Sequence, residues 1–135
     1  MILDTDILSA LSSPHRREQL IEALERASGS VSTTAVNWAE VCYGVARMPG
    51  KEGERIKRRY EELVLPRIAI LDFDRKSAEV YANIRSELER RGERLADADM
   101  MIASIALCHN MTLVTGNTRH FARIPGLKLE NWLEG

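Results

Sequence analysis

The sequence lacks several features by which broad classes of protein are recognised. Its 135 residues include only two cysteines, Cys42 and Cys108, which are far apart and form no CxxC pair. Neither a thiol redox motif nor a cysteine zinc site is therefore indicated. No apolar run approaches the length of a membrane span, and acids stand near the N-terminus where a signal peptide needs apolar residues. We therefore expect a cytoplasmic protein with no membrane association.

A bias of charge is missing as well. The chain has 19 Lys and Arg residues against 20 Asp and Glu residues, so its formal net charge is -1. Because the molecule as a whole does not attract phosphate, a nucleic-acid partner would have to be held by a local basic face or through metal ions. The length and the hydrophobic content of 44% predict one domain, residues 1–135, with a substantial core.

Short apolar runs alternate with longer stretches of helical periodicity. Strands are predicted at residues 2–3, 30–33, 68–71, 112–115 and, more weakly, 127–129. Between them, apolar residues recur with the spacing of a helix that buries one stripe, at positions 38, 41, 42 and 45 and again at 98, 101, 102 and 105. Brief strands that alternate with helices are typical of a parallel sheet covered on both faces. The predicted fold is a three-layer α/β/α domain with a short parallel sheet.

The segments 52–65 and 74–91 mix Arg, Lys and Glu with apolar residues and are interpreted as an amphipathic helical pair. Surface cover over the sheet is the first interpretation of this pair, because helices commonly cap a sheet. In the second interpretation, part of the apolar stripe is the face of a homodimer.

Polar side chains stand where parallel α/β sheets collect their chemistry. Asp4 directly follows the first strand, Asn117 follows the fourth, and Asp99 lies in the first turn of the helix before the fourth strand. Glu40 lies at the margin of the buried stripe of its helix. Since ligands bind at the carboxyl ends of parallel strands, these four side chains are candidates for one crevice.

Convergence of the acids would call for a cation. Two carboxylates about 4 Å apart repel by about 4 kcal/mol at an effective dielectric constant of about 20. All of the candidates are oxygen ligands, which favours magnesium or manganese over zinc. Such a site suits phosphodiester hydrolysis, because a bound metal ion polarises the phosphoryl oxygen and activates water.

Other residues have simpler structural explanations. Asp97 is the natural N-cap of the helix that carries Asp99, because aspartate is strongly preferred at this position. The three histidines, His15, His109 and His120, share no spacing typical of metal ligands. Gly44 lies one turn after Glu40 inside a predicted helix, where glycine is unfavourable, and this suggests a close approach of backbone or ligand.

Four segments in chain order resemble the motifs of the PIN-domain ribonucleases, in particular the VapC-type toxins of toxin–antitoxin pairs. They are ILDTDIL at 2–8, AEVCYG at 39–44, DMMIAS at 99–104 and LVTGNTRHF at 113–121, followed by a typical ending at 127–132. The match spans nearly the whole chain. The resemblance implies a PIN-like fold and an endoribonuclease that depends on Mg²⁺ or Mn²⁺.

The resemblance also implies a role for each site residue. Asp4 and Asp99 are the expected metal ligands, and Glu40 is expected to orient or deprotonate the attacking water. Asn117 supports metal-bound water, and Thr115 is a polar residue behind the ligands.

The chain departs from the family pattern at two positions. Position 6, most often asparagine, is aspartate here and adds a negative charge near the site. Position 117, often aspartate, is asparagine. The three remaining acids are expected to hold one divalent ion firmly, and a second ion only together with substrate phosphate.

Partners follow from the same resemblance. An RNA substrate and a VapB-like antitoxin are expected, with a homodimer as the assembly. The antitoxin would place an amphipathic helix on the apolar stripes of residues 35–47 and 52–65. A cation from its tail would pair with Asp4, Glu40 and Asp99.

Two alternatives remain open. The apolar strand leading into Asp4 and Asp6 is similar to the DxD signature of haloacid-dehalogenase-like phosphatases, in which Asp4 would be the nucleophile and Asp6 the acid and base. That chemistry also needs a lysine and a later pair of aspartates, which residues 68–71 and 112–115 do not both supply. The other alternative is a noncatalytic nucleic-acid or protein interaction domain, which metal-dependent nuclease activity would exclude.

Overall fold

A computed structural model of the chain describes residues 1–27 and 30–134. The strands are β1 (Ile2–Leu3), β2 (Ser32–Thr34), β3 (Ala69–Leu71), β4 (Leu113–Val114) and β5 (Leu129–Glu130). The helices are α1 (Thr5–Leu11), α2 (Arg17–Arg26), α3 (Ala35–Ala46), α4 (Glu52–Arg59), α5 (Arg75–Arg90), α6 (Asp97–Cys108) and α7 (Thr118–Phe121). Among the described residues, no helix has both the length and the apolar character that a bilayer crossing demands.

The five strands form one parallel sheet in the order β3-β2-β1-β4-β5. Every strand lies within two residues of its predicted position, and the predicted α/β/α architecture is confirmed. The central strand β1 pairs through Ile2 with Ser32 of β2 and with Leu113 of β4. Because the chain runs from β1 to β2 on one side and later reaches β4 on the other, the strand order reverses at β1, and ligands of such sheets bind at the carboxyl ends of the strands at this point.

Two hydrophobic clusters fill the space between the sheet and the helices on its two faces. Consecutive strand residues point to opposite faces, and Ile2 belongs to one cluster while Leu3 belongs to the other. The Ile2 cluster contains buried side chains of α5, α6 and α7, and the Leu3 cluster contains those of α1, α2 and α3. The site at the end of β1 therefore rests on a strand that is buried on both sides.

The two amphipathic segments pack in different clusters. After α4 the chain continues into a π-helical turn, Tyr60–Val64, which buries Tyr60 in the Leu3 cluster. On the other face, α5 packs against α6 and buries Ile84 and Leu88 in the Ile2 cluster. Both amphipathic helices are confirmed, and they cover the sheet from opposite faces, α4 over the Leu3 cluster and α5 over the Ile2 cluster.

Candidate active site

Asp4 lies at the carboxyl end of β1 and is the N-cap of α1. Its main-chain N–H donates to the carbonyl of Val114 at 2.9 Å, which extends the pairing of β1 with β4. Asp4 is only 8% exposed. Its Oδ1 accepts hydrogen bonds from the N–H of Thr5 and from Nδ2 of Asn37, each at 2.9 Å, and its Oδ2 accepts one from the Thr115 hydroxyl at 2.8 Å. Three donors from different parts of the chain thus fix this carboxylate.

Burial raises the pKa of Asp4 from an ordinary value of 3.8 to about 6. Loss of hydration is the largest cause, and the negative charge of Asp6 raises this pKa further. The hydrogen bonds from Thr115, Thr5 and Asn37 act in the opposite direction, because they favour the charged form. The carboxylate is therefore held firmly in place while its charge stays uncompensated.

A relay of polar groups joins Glu40 to Asp4. Asn37 is fully buried, and its Nδ2 donates both to Asp4 and to the Thr5 hydroxyl at 2.9 Å. The Thr5 hydroxyl in turn donates to Oε1 of Glu40 at 2.8 Å. Thr34, the N-cap of α3, donates its hydroxyl to Oδ1 of Asn37 at 2.7 Å, and this bond sets which end of the amide faces Asp4. Glu40 is exposed on α3, yet one of its oxygens is tied to the Asp4 end of β1.

Asp6 ties the loop after β4 to α1. Its Oδ2 accepts a hydrogen bond from the N–H of Gly116 at 2.8 Å. A Cβ at position 116 would lie 2.7 Å from the same oxygen and 2.8 Å from Cδ1 of Leu133, so only glycine fits there without a shift. The Oδ1 of Asp6 is buried and has no hydrogen-bond partner among the described residues. The charge at position 6 therefore lies inside the site and acts on Asp4.

Asp99 is connected to Asp4 indirectly, through a series of hydrogen bonds. It lies in the first turn of α6, and its Oδ2 is 2.9 Å from Nε2 of His120. The main-chain N–H of His120 donates to the carbonyl of Asn117, and the N–H of Asn117 donates to the Thr115 hydroxyl that binds Asp4. Within the described residues, no hydrogen bond joins Asp99 to Asp4 directly.

Positions 115 and 117 differ in exposure. Thr115 is fully buried, and its hydroxyl accepts from the N–H of Asn117 at 3.0 Å while it donates to Asp4. Asn117 is exposed, and in the part of the chain that the structure describes its side chain makes no hydrogen bond. The Asn117 amide is therefore open to solvent or to a ligand.

The described residues contain no group of three or more His, Cys, Asp or Glu side chains arranged to hold a metal ion. The chemistry of the donors nevertheless fits a hard divalent cation, since the side chains that the hydrogen bonds connect at this end of the sheet offer carboxylate and amide oxygens. The buried Oδ1 of Asp6 and the uncompensated charge of Asp4 are features that such a cation would relieve. Asp4 and Asp99 form two halves of the candidate site rather than one ready-made cluster.

Sequence reasoning missed Asn37 and His120. Asn37 is a polar residue in an apolar turn, three positions after the N-cap Thr34 and three before Glu40. Its place on the Glu40 face of the helix was the available signal. His120 stands in the motif at 113–121, but its partner Asp99 was not predictable, because only the folded loop brings the four-residue helix α7 to α6.

The prediction that Asp97 caps α6 is wrong. The N-cap is Ala96, without a side-chain hydrogen bond, and Oδ1 of Asp97 instead accepts from the hydroxyl of Tyr81 on α5 at 2.9 Å. Asp97 thus bonds to a side chain of another helix instead of to the main chain of its own helix. A Cβ at Gly44 would meet nothing within 4 Å, so a close approach within the described chain does not explain that glycine.

Comparisons with known proteins point to one family. Residues 1–127 match the family model described as PIN domain. Ribonuclease VapC2 of Rickettsia felis is 35% identical over 133 residues, which cover 97% of this chain and 96% of that protein. Toxin FitB of Neisseria gonorrhoeae is 34% identical over 125 residues, 90% of each protein. The crystal structure of VapBC2 from Rickettsia felis, bound to a DNA fragment from their promoter, matches with a TM-score of 0.88 and 33% identity over 97% of both chains.

Proposed function

The chain belongs to the PIN domain family, and from this premise we propose that it is a metal-dependent endoribonuclease and the toxin of a type II toxin–antitoxin pair. The observation that carries the proposal is the Asp4 carboxylate, which Thr115 and Asn37 hold at the carboxyl end of β1 and which Thr5 connects to Glu40. Relatives named as a ribonuclease and as a toxin match nearly the whole chain. Family membership excludes the haloacid-dehalogenase alternative. Residues 1–135 are taken as one PIN-like domain.

PIN-domain ribonucleases generally depend on a divalent metal ion, and we assign Mg²⁺ or Mn²⁺ to this protein. Asp4 and Asp99 are the residues that would hold the ion. When bound, it would polarise the scissile phosphate and stabilise the leaving oxygen. Thr115 keeps the Asp4 carboxylate in its orientation, and we assign the exposed Asn117 amide to the support of metal-bound water.

Glu40 is the proposed base. Its Oε1 accepts the Thr5 hydroxyl, and this bond orients the carboxylate. Its Oε2 makes no hydrogen bond with any described residue and is available to take a proton from the attacking water. Because Asn37 binds both Thr5 and Asp4, its amide sets the positions of the base and of the first metal ligand together.

We assign the groove between α3 and α4 to an amphipathic helix of the antitoxin. The groove has a volume of about 230 Å³, and its walls are mainly apolar, with Trp38, Val41, Val45 and Tyr60 among them. An arginine from the adjoining tail of the antitoxin would pair with the acids of the site and block it. The homodimer predicted from the sequence stays a prediction.

Growth and RNA cleavage test the proposed activity. Expression of the wild-type protein should arrest growth and produce discrete new RNA 5′ ends, whereas Asp4→Ala should do neither. Asp72→Ala is the matched control, because Asp72 is exposed and follows β3, which lies two strands and thus about 10 Å from β1. This control should remain toxic. A harmless wild-type protein without Mg²⁺- or Mn²⁺-dependent cleavage would favour the noncatalytic interaction domain.

Co-expression tests the partner. The product of an adjacent small open reading frame should restore growth and purify with the protein as a stable complex. Substituting Val45→Asp places a charge in the apolar groove and should abolish rescue while leaving toxicity intact. Rescue by an unchanged complex with this variant would reject the α3–α4 groove as the docking site.

A further inference from the structure

We infer that His120 is a positioning residue of the site and holds the Asp99 carboxylate in place for metal binding. The inference rests on the proposed function, because that function makes Asp99 a metal ligand. The observation is the contact of 2.9 Å between Nε2 of His120 and Oδ2 of Asp99. The motif LVTGNTRHF contains this histidine, but the expected ligand set does not include it.

The contact is the sole hydrogen bond of the Asp99 side chain within the described residues. A carboxylate only accepts hydrogen bonds, so Nε2 of His120 carries the proton in this pair. The two side chains are about equally shielded, with 26% of Asp99 and 28% of His120 exposed. The bond fixes Oδ2 and leaves Oδ1 of Asp99 for a ligand. Without it, a carboxylate in the first turn of a helix is free to change rotamer.

The position of His120 is itself well defined. Its main-chain N–H donates to the carbonyl of Asn117 at 3.2 Å. Its ring packs edge to face on Phe121, which is fully buried, with ring centres 5.8 Å apart. A firmly placed imidazole can therefore fix the orientation of its partner.

One short segment thus holds both proposed metal ligands. Thr115, at its start, binds Asp4, and His120, five residues later, binds Asp99. Gly116, between them, is tied to Asp6 of α1. Residues 115–120 therefore set the distance between the two halves of the site. Removing the partner of a ligating carboxylate commonly lowers metal affinity by about 10-fold to 100-fold.

The test is Mn²⁺ binding to the full chain, measured by calorimetry without RNA. His120→Phe keeps a ring against Phe121 but has no donor, and it should lower Mn²⁺ affinity by about 10-fold to 100-fold. His120→Gln places an amide N–H near the position of Nε2 and should restore affinity to within about threefold of wild type. Thermal unfolding without metal confirms that the variants are folded, and His120→Ala replaces His120→Phe if the latter is not. His109→Phe, at the exposed opposite end of α6, is the matched control and should bind as wild type does.

A double-mutant cycle shows whether His120 acts through Asp99. In an Asp99→Asn background, His120→Phe should cause no further loss of Mn²⁺ affinity. If wild type and His120→Phe bound Mn²⁺ with equal affinity, the inference about His120 would be overturned, while the proposed metal site would stand. An equal loss in His120→Gln and His120→Phe would also overturn it, because the imidazole would then be a ligand in its own right. Absence of Mn²⁺ binding by the wild-type protein would reject the proposed metal site together with this inference.

Discussion

The two acids proposed to hold the metal are positioned in opposite ways. Asp4 is almost fully buried and receives three hydrogen bonds, from Thr5, Asn37 and Thr115. Asp99 is 26% exposed, and among the described residues its side chain contacts one hydrogen-bond partner, His120. The two acids thus represent a rigid half and an adjustable half of one site.

The difference shows that fixing a charged group and solvating it are competing demands. Asp4 gains its fixed position by burial, which raises its pKa and makes its charge unfavourable to the fold. Asp99 stays hydrated in the first turn of α6, where the positive end of the helix dipole favours its charge. Loss of charge should therefore lower activity at both positions, but it should raise the free energy of unfolding only at Asp4.

The strongest test of this contrast replaces each acid by its amide. Asp4→Asn and Asp99→Asn should each lower the rate of RNA cleavage at least about 1,000-fold, equivalent to roughly 4 kcal/mol, because each removes a charged metal ligand. In metal-free protein, only Asp4→Asn should raise the free energy of unfolding, since it removes a desolvated charge. Single-turnover cleavage and urea unfolding measure the two effects. Full cleavage by either folded variant would reject its role, and equal stability changes in both would remove the contrast.

The pH dependence of stability sharpens the comparison. Because the pKa of Asp4 is about 6 in the folded protein and 3.8 is its ordinary value, the folded state keeps a proton that the unfolded chain releases between these values. The free energy of unfolding of the metal-free protein should therefore fall as pH rises through this window, by up to about 3 kcal/mol. Urea unfolding should show the largest gain in the free energy of unfolding of Asp4→Asn over wild type at pH values above this window, and no gain at pH values below it. Asp99→Asn keeps Asp4 and should therefore show the same fall with rising pH as the wild type does. If the curve of Asp4→Asn also ran parallel to that of the wild type, the burial argument would be contradicted.

Two glycines test whether the segment 115–120 is as constrained as its contacts indicate. Gly116→Ala should destabilise the protein by about 2 kcal/mol, because its Cβ would meet Asp6 and Leu133 at less than van der Waals distance. Gly116→Ala should also lower the rate of RNA cleavage, because it would disturb the segment that positions both Asp4 and Asp99. Gly44→Ala is the control, since open space surrounds that site, and it should stabilise α3 by about 1 kcal/mol. Thermal unfolding of both variants checks the signs, and a neutral Gly116→Ala would mean that the loop adjusts freely.

Much of the fold could be predicted because its signals are local. Ile2 and Leu3 are buried on opposite faces of the sheet, so the central strand appears in the sequence as an uninterrupted apolar pair. The apolar stripes of α4 and α5 were predicted from the sequence in the same way, but the position of a stripe does not determine which face of the sheet the helix covers. The same limit explains Asp97, whose partner Tyr81 comes from a helix that the sequence does not place beside it.

The candidate site was predictable as a set of residues but not as an arrangement. Asp4, Glu40 and Asp99 stand in motifs, and strand order alone explains why Asp4 meets Thr115. The hydrogen bonds that connect Asp4 to Glu40 through Asn37 and Thr5 depend on how these side chains are oriented. The sequence spacing of Asn37 and Glu40 predicts only that they share a helix face. The half of the site around Asp99 depends on the fold of a loop after β4, which no periodicity describes.

The smallest expected effect concerns the residue between the two halves. Asn117→Asp adds a carboxylate to the segment that carries the donors to Asp4 and Asp99, and it should lower the Mg²⁺ concentration for half-maximal cleavage by about threefold to tenfold. The effect is modest because the side chain at this position is exposed, so solvent screens the added charge. Asn83→Asp, at an exposed position of α5, makes the same change in net charge and should leave the Mg²⁺ dependence as it is. Titration of cleavage with Mg²⁺ compares the two variants. If both variants need less Mg²⁺, the effect is a general one of net charge. If neither does, the side chain at position 117 does not reach the ion, and the two halves of the site are connected through Thr115 and His120 alone.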